Sequence, residues 1–204
     1  MQKILSLNII DNKCEILLQN NNILIDKIFI EENNRQSDLL VLKIQQLLEK
    51  NNISYKDIDV ISINNGPASF TTLKVVMTFV KAFHVIFPDK NIIVNNTFEL
   101  VAYNKNFDII ILPSGLNTYF VYDKNHYFFV KQCDLKQILQ ANYTILTNSQ
   151  NIVDFLKNDF KITLNSISDD NLINLNFDKL NKKIFSQDLE PLYIREPDIN
   201  RSKK

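Results

Sequence analysis

The chain reads as an α/β protein with mixed sheets, and three observations predict it. Short runs rich in Ile, Leu and Val alternate with stretches of helical periodicity, asparagine-rich turns separate the runs, and a similar order of elements occurs twice. In the first half, residues 3–10, 13–19 and 23–30 are expected as strands. Residues 37–50 read as a helix with Ser37 as N-cap, where a hydroxyl can accept from a free first-turn amide. A strand over 59–63 leads through a Gly-Pro turn into a long helix, then a strand over 92–94 and a short helix from Thr97. The second half repeats the theme more loosely, with strands over 109–112, 119–122, 127–131 and 144–146 and helices over 134–141 and 149–158. The expected division is a first lobe over 1–100 and a smaller second lobe with its tail over 101–204.

The long helix is the most informative element. Successive residues 100° apart separate two apolar stripes, one of Val75, Phe79, Ala82 and Ile86, the other of Leu73, Val76, Met77, Val80, Phe83 and Phe87. Only Lys74, Thr78 and Lys81 form a polar strip, with His84 at the edge of the second stripe. Such a helix is either central to one core or shared between a core and a partner. The 37–50 helix repeats the oddity: Leu40, Val41, Ile44, Leu47 and Leu48 make one stripe while Leu39 and Leu42 face elsewhere. Two adjacent helices with surplus apolar surface suit a four-helix contact with a second chain. Each side chain so buried contributes roughly 1.5–3 kcal/mol before association costs.

Composition bounds the chemistry. A chain of 204 residues can bury a sizeable core, and 23 basic residues balance 23 acidic ones, so no overall basic surface is implied. Direct contact with nucleic acid would need a local patch, with Lys182, Lys183 and the 195–204 tail as candidates; the plainer reading of that tail is solvation. The opening strand is short and followed by Asp11, Asn12 and Lys13, and no apolar run approaches the roughly 20 residues that span a bilayer. The expectation is a cytoplasmic protein without membrane contact, whose Cys14 and Cys133 are reduced and buried.

Catalytic signals are thin. His84 and His126 are too far apart for an H-x-x-x-H pair, and neither C-x-x-C nor G-x-S-x-G occurs. The carboxylate pairs Glu31/Glu32 and Asp169/Asp170 sit in polar segments and read as solvated loops. No catalytic, metal-ligating or cofactor-binding residue is therefore expected. In the turn before the long helix, Gly66 can adopt φ > 0, Pro67 fixes the next bend, and Ser69 or Thr71 can cap the helix. A helix start beside a glycine can hold an anion, though a single glycine suits a plain strand-to-helix connection as well.

The segment Gly66-Pro67-Ala68-Ser69-Phe70-Thr71-Thr72-Leu73-Lys74 resembles the GPGSFTGLR signature of the TsaB (YeaZ) family, non-catalytic subunits of the bacterial machinery that makes threonylcarbamoyladenosine in tRNA. Arg35-Gln36-Ser37-Asp38-Leu39-Leu40 resembles the family's His-Ser-Glu-like helix start, and Pro191-Leu192-Tyr193-Ile194-Arg195 its P-x-Y-L-R close. Ala68, Thr72 and Lys74 depart from the signature, Leu5-Ser6-Leu7-Asn8 replaces the usual I-D-T-S, and Leu112-Pro113-Ser114-Gly115 stands where many members carry D-A-R-R. The resemblance implies duplicated actin-like, ribonuclease H-like lobes, a degenerate ASKHA-type fold. It also implies a homodimer or a pairing with a catalytic TsaD-like subunit through the two helices, with Leu39, Leu42, Leu73, Val76, Met77, Val80, Phe83 and His84 as interface residues. A TsaE-like ATPase is a further implied partner, and tRNA contact is indirect. The alternative is a small actin-like nucleotide-binding enzyme with the Gly66 turn as an anion cradle. Against it, the chain has only Gly66 and Gly115, and Asn8 stands where such ATPases offer an aspartate. ATP or ADP is expected only at a composite site completed by a partner.

Overall fold

The structure is a computed structural model that describes residues 1–10, 13–30, 36–186 and 188–194. The chain divides into two compact units, Met1–Asn106 with Asn165–Leu192, and Phe107–Leu164 with Tyr193 and Ile194. This departs from the expected boundary near residue 100, because Asn165–Leu192 returns to the first unit.

The first unit holds β1 (Lys3–Ile10), β2 (Lys13–Asn20), β3 (Ile23–Ile30), α1 (Gln36–Lys50), β4 (Val60–Asn64), α2 (Phe70–Ile86), β5 (Asn91–Asn95) and α3 (Thr97–Ala102). The second holds β6 (Ile109–Gly115), β7 (Thr118–Tyr122), β8 (Tyr127–Lys131), α4 (Gln132–Ile138), β9 (Thr144–Thr147), α5 (Gln150–Leu156) and β10 (Lys161–Leu164). A final helix, α6 (Asp169–Asn181), belongs to the first unit. The sheet orders are β3-β2-β1-β4-β5 and β8-β7-β6-β9-β10, the same order in both lobes. In each, the first three strands pair antiparallel and the remaining two join parallel to the first. The duplicated mixed α/β architecture is therefore present, strand for strand.

Local chemistry explains the elements. Along β1, Leu5, Leu7 and Ile9 point into a core shared with α1 and α2. Ile4, alternating with them, packs with Val60, Ile93 and Leu180, while Leu17 of β2 meets Leu100, Leu172 and Ile173 on the same side. The first sheet is thus covered by α1 and α2 on one face and by α3 and α6 on the other. Asparagine does much of the work usually left to glycine. Asn21 and Asn117 turn the β2–β3 and β6–β7 hairpins at φ +52° and +54°, and Asn52 and Asn104 follow α1 and α3 at +54° and +55°.

Several expectations are corrected. Asp169 and Asp170 open α6 rather than lying in a solvated loop, and β10 and α6 carry no expected element at all. The α6 pattern was masked because its buried face holds Asn176 and Lys179 among Leu172, Ile173 and Leu180. Cys133 lies on α4 and is exposed, whereas Cys14 is buried as expected; both are free thiols. The α4 helix starts two residues earlier than the expected 134–141 and ends at Ile138. Glu31, Glu32, Arg35, the Ser37 side chain, and Arg195 with the rest of the 195–204 tail lie outside the described residues.

Candidate partner-binding surface

The Gly66 turn sets the direction of α2. Gly66 sits at φ +108°, and a Cβ there would stand 3.3 Å from both the Ala68 amide nitrogen and Leu73 Cδ1. The following Gly66–Pro67 bond is cis. The Gly66 N–H donates to Asn64 Oδ1 at 2.9 Å, and the Gly66 carbonyl accepts from the Thr97 N–H at 2.8 Å. The Thr97 hydroxyl adds a bond to the Pro67 carbonyl at 3.2 Å. The start of α3 therefore clasps the turn from behind.

The C-terminal segment closes over the same turn. The Leu192 N–H donates to the Asn65 carbonyl at 2.8 Å, and Asn65 Nδ2 donates to the Glu190 carbonyl at 3.2 Å. Leu189 is buried in the core of α1 and α2, and Lys81 on α2 pairs with Glu190 at 3.4 Å. The glycine turn and Leu192, which the sequence singled out in separate motifs, thus meet in space. Ser69 occupies the N-cap position of α2, but its side chain makes no capping bond, and Thr71 lies inside the helix. Lys74 stacks its ammonium over the Phe70 ring, 4.2 Å from the centroid.

The structure reverses the assignment of the two α2 stripes. Leu73, Val76, Met77, Val80 and Phe83, expected at a partner interface, are all buried in the core of the first unit against Leu5, Leu7, Ile61 and Ile63. The physical reason is that this stripe, the more continuous of the two, packs on β1 and β4 and completes the core of the first unit. The other stripe faces outward: Val75 and Phe79 are half-buried at the margin of the core, Ala82 is exposed, and Ile86 is 68% exposed. Val85, one step round the helix, is 82% exposed. His84 is half-buried, with its Nδ1 shielded from solvent and without a hydrogen-bond partner.

On α1, Leu40, Ile44, Leu47 and Leu48 are buried as expected, but Val41 turns outward at 53% exposure. Leu42 is 47% exposed, and Leu39 packs half-buried on the core margin. The two helices pack on one another, so Val41, Leu42, Ala82, Val85 and Ile86 extend one helical layer with apolar side chains in water. A monomer tolerates scattered apolar residues, and these fall at two places on the layer, Val41 and Leu42 in the first half of α1 and Ala82, Val85 and Ile86 in the last turns of α2. Lys74, Thr78 and Lys81 border it as a polar rim.

The opposite face of the same sheet is polar inside. Asn8 on β1 is buried and accepts from Asn64 Nδ2 at 3.1 Å. Beside it on β2, the Glu15 carboxylate meets Lys27 at 3.5 Å. Among the described residues, no group of three or more His, Cys, Asp and Glu side chains could hold a metal ion, and no helix is long and apolar enough to cross a membrane.

Comparison with known proteins places this geometry. A family model described as TsaD, tRNA N6-adenosine threonylcarbamoyltransferase, matches residues 32–150. No curated protein matches the chain. Among solved structures, an uncharacterized Pseudomonas aeruginosa protein with similarity to peptidase YEAZ is 12% identical, with 96% of this chain and 100% of that one covered at a TM-score of 0.71. YeaZ from Pseudomonas aeruginosa is 11% identical, with 95% and 100% covered at a TM-score of 0.70. These likenesses establish a shared fold over nearly the whole chain.

Proposed function

The chain belongs to the family described as TsaD, tRNA N6-adenosine threonylcarbamoyltransferase, and on that premise we propose that it is a non-catalytic scaffold subunit of the complex that forms threonylcarbamoyladenosine in tRNA. In this reading it self-associates and docks onto a catalytic TsaD-like subunit. The observation that carries the proposal is the surplus apolar surface of the two helices, Val41 and Leu42 on α1 and Val85 and Ile86 on α2, left in water while the other sides of both helices already fill the core. Both occupants, a second copy and the catalytic subunit, would use this one face and therefore exclude each other. A TsaE-like ATPase and tRNA would join through the catalytic subunit.

Nucleotide chemistry is left to the partner. On β1 a neutral Asn8 is committed to Asn64, and the neighbouring Glu15 is engaged by Lys27. A phosphate-binding ATPase needs a free carboxylate for magnesium and glycine-lined loops, whereas the Gly66 turn here is occupied by α3 and the C-terminal segment.

Light scattering on the purified chain, alone and mixed with the catalytic subunit of the same source, tests the reading. A dimer that exchanges into a mixed complex supports it, and Val85→Asp with Ile86→Asp should abolish both species while leaving the monomer folded. A monomer indifferent to the catalytic subunit would sink the proposal.

A further inference from the structure

Away from the α1–α2 face, the start of α6 is joined to the edge of the first sheet by a three-membered charge cluster. Glu15 on β2 is 3% exposed, its carboxylate facing Lys27 on the edge strand β3 at 3.5 Å. The same Lys27 ammonium donates to Asp169 in the first turn of α6 at 2.6 Å. The aromatic ring of Phe29 fixes the lysine further, 4.9 Å from its ammonium. One cation therefore stands between two carboxylates, one enclosed and one partly solvated.

One positive charge cannot neutralise both carboxylates, and the two are not equivalent. Asp169 lies at the amino end of α6, partly in water, and it holds the shorter bond to Lys27. Glu15 is the more deeply buried, so it bears the desolvation cost of ionising. Among the described residues the charged groups acting on Glu15 are Lys27 from β3 and Asp169 from α6, while β1 contributes the neutral Asn8. We infer that Glu15, Lys27 and Asp169 form a proton-operated latch that holds the first turn of α6 against the edge of the first sheet.

The direction of the switch follows from the ionisation. Burial first, and the Asp169 charge second, push the Glu15 carboxyl up to about 7, against the opposing pull of Lys27. A carboxyl raised on folding contributes stability that is complete below the ordinary carboxylate range and is lost as pH rises through about 7. Protonated Glu15 closes the latch, and ionised Glu15 sets two like charges against one lysine and loosens it. The rest of α6 stays held by its other anchors, Asn176 to the sheet and Lys179 to Glu99 at 2.9 Å.

Amide hydrogen exchange of the full chain between pH 6 and 8.5, corrected for intrinsic rates, reads the latch at the first turn of α6. Protection there should fall by roughly tenfold over that range, as the Glu15 carboxyl completes its ionisation. In Glu15→Gln the same amides should stay protected at both pH values. Asp169→Asn removes the competing charge and should move the midpoint of the Glu15 carboxyl titration, followed by carbon-13 resonances, to lower pH. Wild-type protection that ignores pH would overturn the latch, as would Glu15→Gln keeping the wild-type dependence or Asp169→Asn leaving the Glu15 midpoint in place.

Discussion

Asn176 Nδ2 on α6 donates to Ser6 Oγ on β1 at 2.9 Å, joining residues 170 positions apart inside the first unit. The same nitrogen reaches Gln19 Oε1 at 3.0 Å, and Asn176 Oδ1 accepts from Ser62 Oγ at 2.6 Å and Asn95 Nδ2 at 2.8 Å. One fully buried amide thus uses both donors and both acceptor positions, tying α6 to β1, β2, β4 and β5. A polar centre of this kind fixes the register of α6 against the sheet in a way that apolar contacts alone do not.

Replacing Asn176 by Leu should cost about 3–4 kcal/mol, because Ser6, Gln19, Ser62 and Asn95 would all be buried with broken bonds. Denaturant unfolding measures this directly. A loss below about 1 kcal/mol would mean that the four groups re-pair among themselves or reach water.

The two stripes of α2 should respond oppositely to charge. Val80→Asp places a carboxylate in the core and should unfold the first unit or lower its stability by several kcal/mol. Val85→Asp sits in water and should change thermal stability by under about 0.5 kcal/mol while weakening association. Thermal melts and light scattering on the two variants separate these effects, and equal destabilisation by both would contradict the orientation of α2.

Gly66→Ala should destabilise by about 2 kcal/mol. The position has φ +108°, and the added methyl would press on the Ala68 amide and Leu73 Cδ1 at 3.3 Å. The variant should also loosen the C-terminal segment, since the Leu192 carbonyl stands 3.6 Å from the same point. Limited proteolysis near 188–194 reports that loosening, and unchanged cleavage would argue against coupling between turn and segment.

The two cysteines should separate cleanly in a thiol assay. Burial first, and the neighbouring Glu15 charge second, push the Cys14 thiol up to about 12, and its side chain is out of reach of reagent. Cys133 is exposed on α4. One thiol per chain should react with an aromatic disulfide reagent in the native protein, and the second only after unfolding. Two fast thiols would show that the β2 strand opens readily.

Strand and helix content was legible where it depends on local pattern. The alternation of Leu5, Leu7 and Ile9 with Ile4, Ser6 and Asn8 marks β1, and the asparagines at 21 and 117 mark hairpin turns because that side chain tolerates left-handed backbone. The repetition of the element order announced two lobes. The α6 helix was hidden because its inward face carries Asn176 and Lys179, so polarity and burial disagree along it.

Sequence by itself determined the α/β class, the doubled order and the existence of a long helix with two apolar sides, because each follows from periodicity within a single element. Only the tertiary structure decided which side of α2 is core. Packing on β1 and β4 takes Leu73, Val76, Val80 and Phe83 into the core and leaves Ala82, Val85 and Ile86 in water. Tertiary structure also brought Asp169 to Lys27 and Asn176 to Ser6. A residue's periodicity states that it has a preferred side, but the partners across from it determine which side is inside.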